Sequence, residues 1–235
     1  MSQRHIVAAG GALLESSAAS ASLERYVLDV SGKARPRVCF VPTASGDDVN
    51  YVARFFETYG RFGVEAEVLR FFRRTPAALD AYLAAFDVVH VGGGNTRSML
   101  AVWRHWGFDR VLRAAWERGT VLCGSSAGAI CWFESGVTDS IAGDYTIMRA
   151  LGFLGGSFCP HYDGEPDRRP FYERAVATGE LSGGYACEDG TAVHFIGASL
   201  AAAVSARPAA NAYRVDTVDG KLIRTALEMR RSMGS

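Results

Sequence analysis

What the chain lacks sets its first bounds. Its 235 residues carry 25 basic and 25 acidic side chains, so the formal net charge is zero. Without an excess of either sign, no global field gathers nucleic acid or an anionic membrane surface, and neither is expected as a partner. No apolar run approaches the roughly 20 residues that span a bilayer. Cysteine is sparse: Cys39, Cys123, Cys131, Cys159 and Cys187 form no Cys-x-x-Cys, and most sit in apolar, strand-like runs. They read as small buried hydrophobes in a reducing compartment. Repeats, low-complexity tracts and linkers are absent, which predicts a single domain over residues 1–235. Residues 1–21 imitate a signal peptide, ending in Ala19-Ser20-Ala21, but Gly10-Gly11 and Glu15 interrupt the apolar region. The segment reads better as a first strand and a glycine turn, so a cytoplasmic protein is expected.

What is there begins with Gly124-Ser125-Ser126-Ala127-Gly128-Ala129, behind the apolar run Val121-Leu122-Cys123. A strand delivers the backbone to Gly124 and a helix leaves from Ala127. Ser126 has glycine two residues away on both sides, the Gly-x-Ser-x-Gly pattern of a nucleophile elbow. Such a turn is sharp enough to force strained backbone angles and leaves no room for β-carbons beside the serine. A glycine-rich turn that holds an anion is the plainer alternative.

The rest of the first half alternates. Strands are expected at Ile6–Ala9, Arg37–Val41, Val64–Phe72, Asp87–Val91 and Thr120–Cys123. Between them run helical patterns: one ends before Gly32, one is capped by Asp47/Asp48, one runs from Thr75-Pro76 to about Ala85, and one covers Val111–Arg118. That grammar predicts a mostly parallel sheet with helices on both faces. After residue 136 it changes: Asp189-Gly190 and Asp219-Gly220 each join two strand-like runs and read as hairpin turns. Antiparallel strands added at the C-terminal edge of the sheet follow from this.

A nucleophilic serine needs a base, and the base an orienting acid. His5, His90, His105 and His194 lie in strand or helix contexts that suit structural roles. His161 differs, following Phe158-Cys159-Pro160 and preceding the polar turn Tyr162-Asp163-Gly164, a loop of the kind that presents catalytic groups. Glu134, Asp139, Asp144 and Asp163 compete for the acid. Asp139 ranks first because it follows Gly136, read as a helix stop, and Val137-Thr138; Asp144 is second. Only 35 residues separate Ser126 from His161, too few for the strand–helix units of an α/β-hydrolase.

Taken together, Gly92-Gly93-Gly94-Asn95-Thr96, the elbow and Pro160-His161-Tyr162 resemble peptidase E, the aspartyl dipeptidase family of serine peptidases, of which cyanophycinase is a cousin. The resemblance runs from Pro36 to about Pro208. It implies a flavodoxin-like or class I glutamine-amidotransferase-like fold and hydrolysis, without metal or cofactor, of dipeptides beginning with aspartate. It puts the nucleophile on Ser126, the histidine on His161, the acid on Asp139, and the oxyanion donors on Gly93, Gly94 and Ala127. Asn95 becomes a substrate contact, with Arg168, then Arg169, as the reader of the substrate carboxylate. A homodimer is left open. Other acyl-transfer chemistry on the same scaffold (a cyanophycinase-like isopeptidase or an esterase) and a silent small-molecule binder are the rival readings.

Overall fold

A computed structural model describes residues 3–15 and 18–231. The first half builds β1 (His5–Ala9), α1 (Ala18–Val30), β2 (Arg37–Val41), α2 (Val49–Gly60), β3 (Glu65–Val68), α3 (Leu79–Leu83), β4 (Val88–Val91), α4 (Thr96–Trp106), α5 (Phe108–Arg118) and β5 (Val121–Ser125). Then come α6 (Ala127–Ile130), β6 (Phe133–Thr138), β7 (Thr146–Arg149), β8 (Leu154–Cys159), α7 (Arg168–Ala177) and β9 (Gly184–Cys187). Strands β10 (Thr191–Ile196), β11 (Ser199–Ser205), β12 (Ala212–Val218), β13 (Lys221–Ala226) and β14 (Met229–Arg231) complete the described chain.

The expected alternation is present, and its strands β1, β5, β4, β2 and β3 run parallel in that order. Both faces are covered, as the apolar content of every central strand requires. On one face Leu23, Val27 and Leu28 of α1 and Val52, Phe55 and Tyr59 of α2 pack on Val7, Val38, Phe40, Val88 and Cys123. On the other, Leu79 and Leu83 of α3, Met99, Leu100 and Trp103 of α4 and Leu112 of α5 pack on Ile6, Cys39, Val89 and Leu122. The two residue sets alternate along each strand, so the pleat itself sorts them to opposite faces.

Beyond β1 the sheet continues through antiparallel β10 and β11, with β14 parallel to β11 at the edge. This meets the expectation of antiparallel strands at the C-terminal edge, but only in part. Strands β13, β12, β9, β8, β6 and β7 form a second sheet of their own. Asp189-Gly190 is therefore not a hairpin turn: β9 pairs with β8 and β12, while β10 pairs with β1 and β11.

Three local expectations also shift. The third strand stops at Val68, and the Asp47 carboxylate takes the Phe72 N–H (2.9 Å) as the chain turns away. The Thr75 hydroxyl donates to the Arg70 carbonyl at 3.0 Å instead of capping a helix, which starts only at Leu79. Gly136 lies inside β6, paired with Met148 and Phe158, because the helix after the elbow ends at Ile130.

Candidate active site

The site is assembled where several strands end. Ser126 stands one residue past β5, with φ 55° and ψ −121°, a conformation a side-chain-bearing residue adopts only under constraint. The constraint is tight packing at the flanking glycines. A β-carbon on Gly124 would lie 2.4 Å from the Gly128 carbonyl oxygen, and one on Gly128 would lie 2.2 Å from that of Val91. No other residue lets β4, β5 and α6 approach so closely.

His161 and Asp189 arrive from the second sheet. Each lies two residues past the C-terminal end of its strand, β8 and β9 respectively, and those strands are parallel neighbours. The carboxylate Oδ1 of Asp189 sits 2.7 Å from His161 Nδ1, with both side chains partly exposed, at 31% and 24%. The end of β1 draws these parts to the elbow. The Ser126 N–H donates to the Ala9 carbonyl (3.3 Å) and the His161 N–H to the next carbonyl, that of Gly10 (3.3 Å). Consecutive α-carbons are about 3.8 Å apart, so the two backbones are anchored side by side. Gly11 follows, and a β-carbon there would lie 2.1 Å from Asp189 Oδ1 and 2.9 Å from the His161 ring. The bare glycine leaves room for the pair.

A further layer holds Asp189. The Asp163 carboxylate accepts the Asp189 N–H at 2.8 Å and also pairs with the Arg207 guanidinium. Burial pushes the Asp163 carboxyl up, but the Asp189 N–H and Arg207 outweigh it and hold it below the ordinary range.

The expected acid is elsewhere. Asp139 is largely exposed, at 67%, and its carboxylate stands 3.6 Å from Arg168 Nη2. The strand register explains this: β6 runs through Thr138 to the edge hairpin with β7, which carries Asp139 and Asp144 out into the connecting turn. Asp189 takes the place beside His161 that the resemblance gave to Asp139.

Arg168 is where α7 begins, as expected, but it is 1% exposed and held by its neighbours. Its Nε donates to Glu165 (2.7 Å), its Nη1 to the Val137 carbonyl (3.1 Å), and its guanidinium lies 4.8 Å from the Tyr145 ring centre. Glu165 in turn accepts the Tyr145 hydroxyl at 2.6 Å. Burial pushes Glu165 up, yet Arg168 and Tyr145 together bring it below its usual range. Arg169 pairs with Glu173 at 3.1 Å over the Tyr162 ring. Asn95 is also occupied: its Oδ1 accepts the Ser98 N–H (2.8 Å) as the N-cap of α4, and its Nδ2 donates to the Ser140 carbonyl (3.0 Å).

The glycine loop lies against Ser126. A β-carbon on Gly93 would lie 3.3 Å from Ser126 Cβ. Ala127 opens α6, and the first N–H groups of a helix have no partner within it.

Residues 6–202 match the family model of Peptidase family S51. The chain belongs to this family. It is 45% identical over 227 residues to the uncharacterized peptidase YgaJ of Bacillus subtilis (strain 168), covering 97% of this chain and 98% of that one. Two solved structures share the fold. One is a peptidase from an acI-B1 actinobacterium (TM-score 0.70, 14% identity, 94% of each chain). The other is a candidate peptidase E protein of Listeria monocytogenes EGD-e (TM-score 0.62, 18% identity, 85% of this chain and 97% of that one). The S51 chain is thus a peptidase of α/β architecture, as the three sequence motifs implied. Among its described residues no helix is long and apolar enough to cross a membrane, and no cluster of His, Cys, Asp and Glu is arranged to hold a metal.

Proposed function

We propose that this peptidase is a serine-type exopeptidase acting on short peptides such as dipeptides, with Ser126 as nucleophile, His161 as general base and acid, and Asp189 as the orienting carboxylate. One observation carries the reading: a serine held at positive φ on an elbow shares a strand end with a histidine whose Nδ1 is held by a carboxylate. Asp189 keeps the imidazole proton on Nδ1, which leaves Nε2 to accept the Ser126 proton. The Ser126 oxygen then adds to the scissile carbonyl, and backbone N–H groups of the glycine loop and Ala127 meet the negative oxygen that forms. His161 returns the proton to the leaving amine, and water repeats the cycle on the acyl-enzyme.

Strict selection of an N-terminal aspartate is not part of this proposal. It needs a guanidinium that a substrate can reach, and Arg168 is buried, with its Nε held by Glu165 at 2.7 Å and its Nη1 by the Val137 carbonyl at 3.1 Å.

The test is a panel of Asp-Leu, Asn-Leu and Ala-Leu. Wild type is expected to hydrolyse all three within about tenfold of one another, and Ser126→Ala to hydrolyse none. Glu165→Gln, which releases Arg168, is expected to shift the preference toward Asp-Leu. Activity retained by Ser126→Ala sinks the mechanism, and a wild type that cleaves Asp-Leu alone sinks the specificity.

A further inference from the structure

The glycine loop contains four successive backbone amides, and three of them are already engaged. Gly92 donates to the Val41 carbonyl (3.2 Å), Gly93 to the Tyr51 hydroxyl (3.1 Å), and Asn95 to the Ala44 carbonyl (2.7 Å). The N–H of Gly94 has no partner among the described residues. Its φ of +133° is open to glycine alone, and a β-carbon there would lie 2.3 Å from the Ala44 oxygen. A run of three glycines has little of its own to fix which way each peptide plane faces.

Tyr51 is built to supply that restraint from outside the loop. It lies in the first turn of α2, where its own N–H is accepted by the capping Asp48 at 2.8 Å. Its ring stands edge-on to Phe40 with centroids 5.2 Å apart, and the Arg54 guanidinium lies 5.1 Å from the ring centre. Burial holds the phenol above its ordinary pKa, against the smaller downward pull of the Gly93 N–H, so it stays neutral. It offers the loop an uncharged acceptor at a fixed point.

We propose that Tyr51 is a positioning residue of the oxyanion hole. By accepting the Gly93 N–H it withdraws that amide from the nucleophile and sets the loop so that Gly94, with Ala127, supplies the donors to the oxyanion. The resemblance gave this role to Gly93 and Gly94 alike; the hydrogen-bond pattern separates them. The inference rests on the serine-peptidase reading above.

Tyr51→Phe removes one oxygen, which also interacts with the Ser125 hydroxyl, from a ring whose packing is otherwise kept. Steady-state hydrolysis of a dipeptide that wild type cleaves is measured beside the binding of two inhibitors: a dipeptidyl boronate, which mimics the tetrahedral adduct, and the product amino acid. A single oxyanion donor is worth roughly 100- to 1,000-fold in kcat, and a misaligned donor loses part of that. Tyr51→Phe is expected to lower kcat about 10- to 100-fold, with KM within about twofold. Boronate affinity is expected to fall by the same factor as kcat and product affinity to stay put. Unchanged kcat, a change confined to KM, or equal weakening of both inhibitors overturns the role of Tyr51. An inactive wild type whose Ser126 resists a fluorophosphonate removes instead the reading beneath it.

Discussion

Asp189-Gly190 and Asp219-Gly220 look alike in the sequence, and the chain uses them in opposite ways. Asp219-Gly220 is a local turn. Both residues have positive φ (50° and 71°), Val218 pairs with Lys221, and β12 and β13 lie antiparallel beside each other. This is the two-residue hairpin that the dipeptide favours. At Asp189-Gly190 only the glycine has positive φ (79°), and the strands on either side belong to different sheets. Asp189-Gly190 still form the corner of a β-turn, closed by the Thr191 N–H on the Glu188 carbonyl (3.1 Å), but that turn joins two sheets, and the aspartate's carboxylate faces His161. A turn dipeptide states that the chain changes direction; which strands flank it is decided by partners far away in sequence.

The largest difference between the two sites is expected in catalysis. Asp189→Asn turns the His161 ring to the wrong tautomer and should lower kcat by about 1,000- to 10,000-fold, the scale of that change in a serine triad. Asp219→Asn should leave kcat within about twofold, as asparagine suits the same turn. Equal effects at the two positions would break the comparison.

The glycines sharpen it. Gly220→Ala meets nothing within 4 Å, so only backbone strain of about 1–2 kcal/mol is expected, seen as a Tm lowered by a few degrees with kcat unchanged. Gly190→Ala would put its β-carbon 3.0 Å from that of Arg207, the partner of Asp163, which holds the Asp189 N–H. It should therefore lower both Tm and kcat. A Gly190→Ala variant with full kcat would mean that this support layer is idle.

A further difference is expected in stability in acid. His194, on the strand that follows Asp189-Gly190, is hydrogen-bonded to His5 (3.0 Å) and Tyr26 (2.8 Å). Burial lowers its pKa from 6.5 to about 4, with further lowering from His5 and Arg230. The unfolded chain binds this proton more readily, so stability rises with pH between those values and is lost on going down. Chemical denaturation across that window should show a His194 contribution of about 1–3 kcal/mol, and His194→Gln should make the slope shallower by that amount. The remainder includes His90, whose pKa burial lowers to about 3. The hairpin at Asp219-Gly220 contains no histidine. A slope unchanged by His194→Gln would mean that His194 is not one of the acid-sensitive groups.

Much of this was legible in the sequence for one physical reason: it was local. The elbow, the strand–helix alternation and the capping of α2 by Asp48 all follow from residues within a few positions of one another. Ser126 and His161 stand out in the sequence because each sits in a short motif. Asp189 was missed because its only local signal, Asp-Gly between apolar runs, has a commoner meaning. A better signal was its position just past a strand end, the edge of a parallel sheet where functional groups collect. The sequence puts Arg168 at the start of α7, but its engagement by Glu165, three residues earlier, shows only in the folded loop. Tyr51 is 42 residues from Gly93, and nothing near either announces the contact.

The central claim is that Ser126 is activated by His161 under the control of Asp189 and not Asp139. It is tested most directly by the rate at which a fluorophosphonate labels the protein, followed by intact mass and peptide mapping. Wild type is predicted to take one adduct, on Ser126. Asp139→Asn should label within about threefold of that rate, since it removes only an exposed ion pair worth about 0–1 kcal/mol, and Asp189→Asn should label at least 100-fold more slowly. Wild-type labelling of Asp189→Asn, or its loss in Asp139→Asn, would contradict the account.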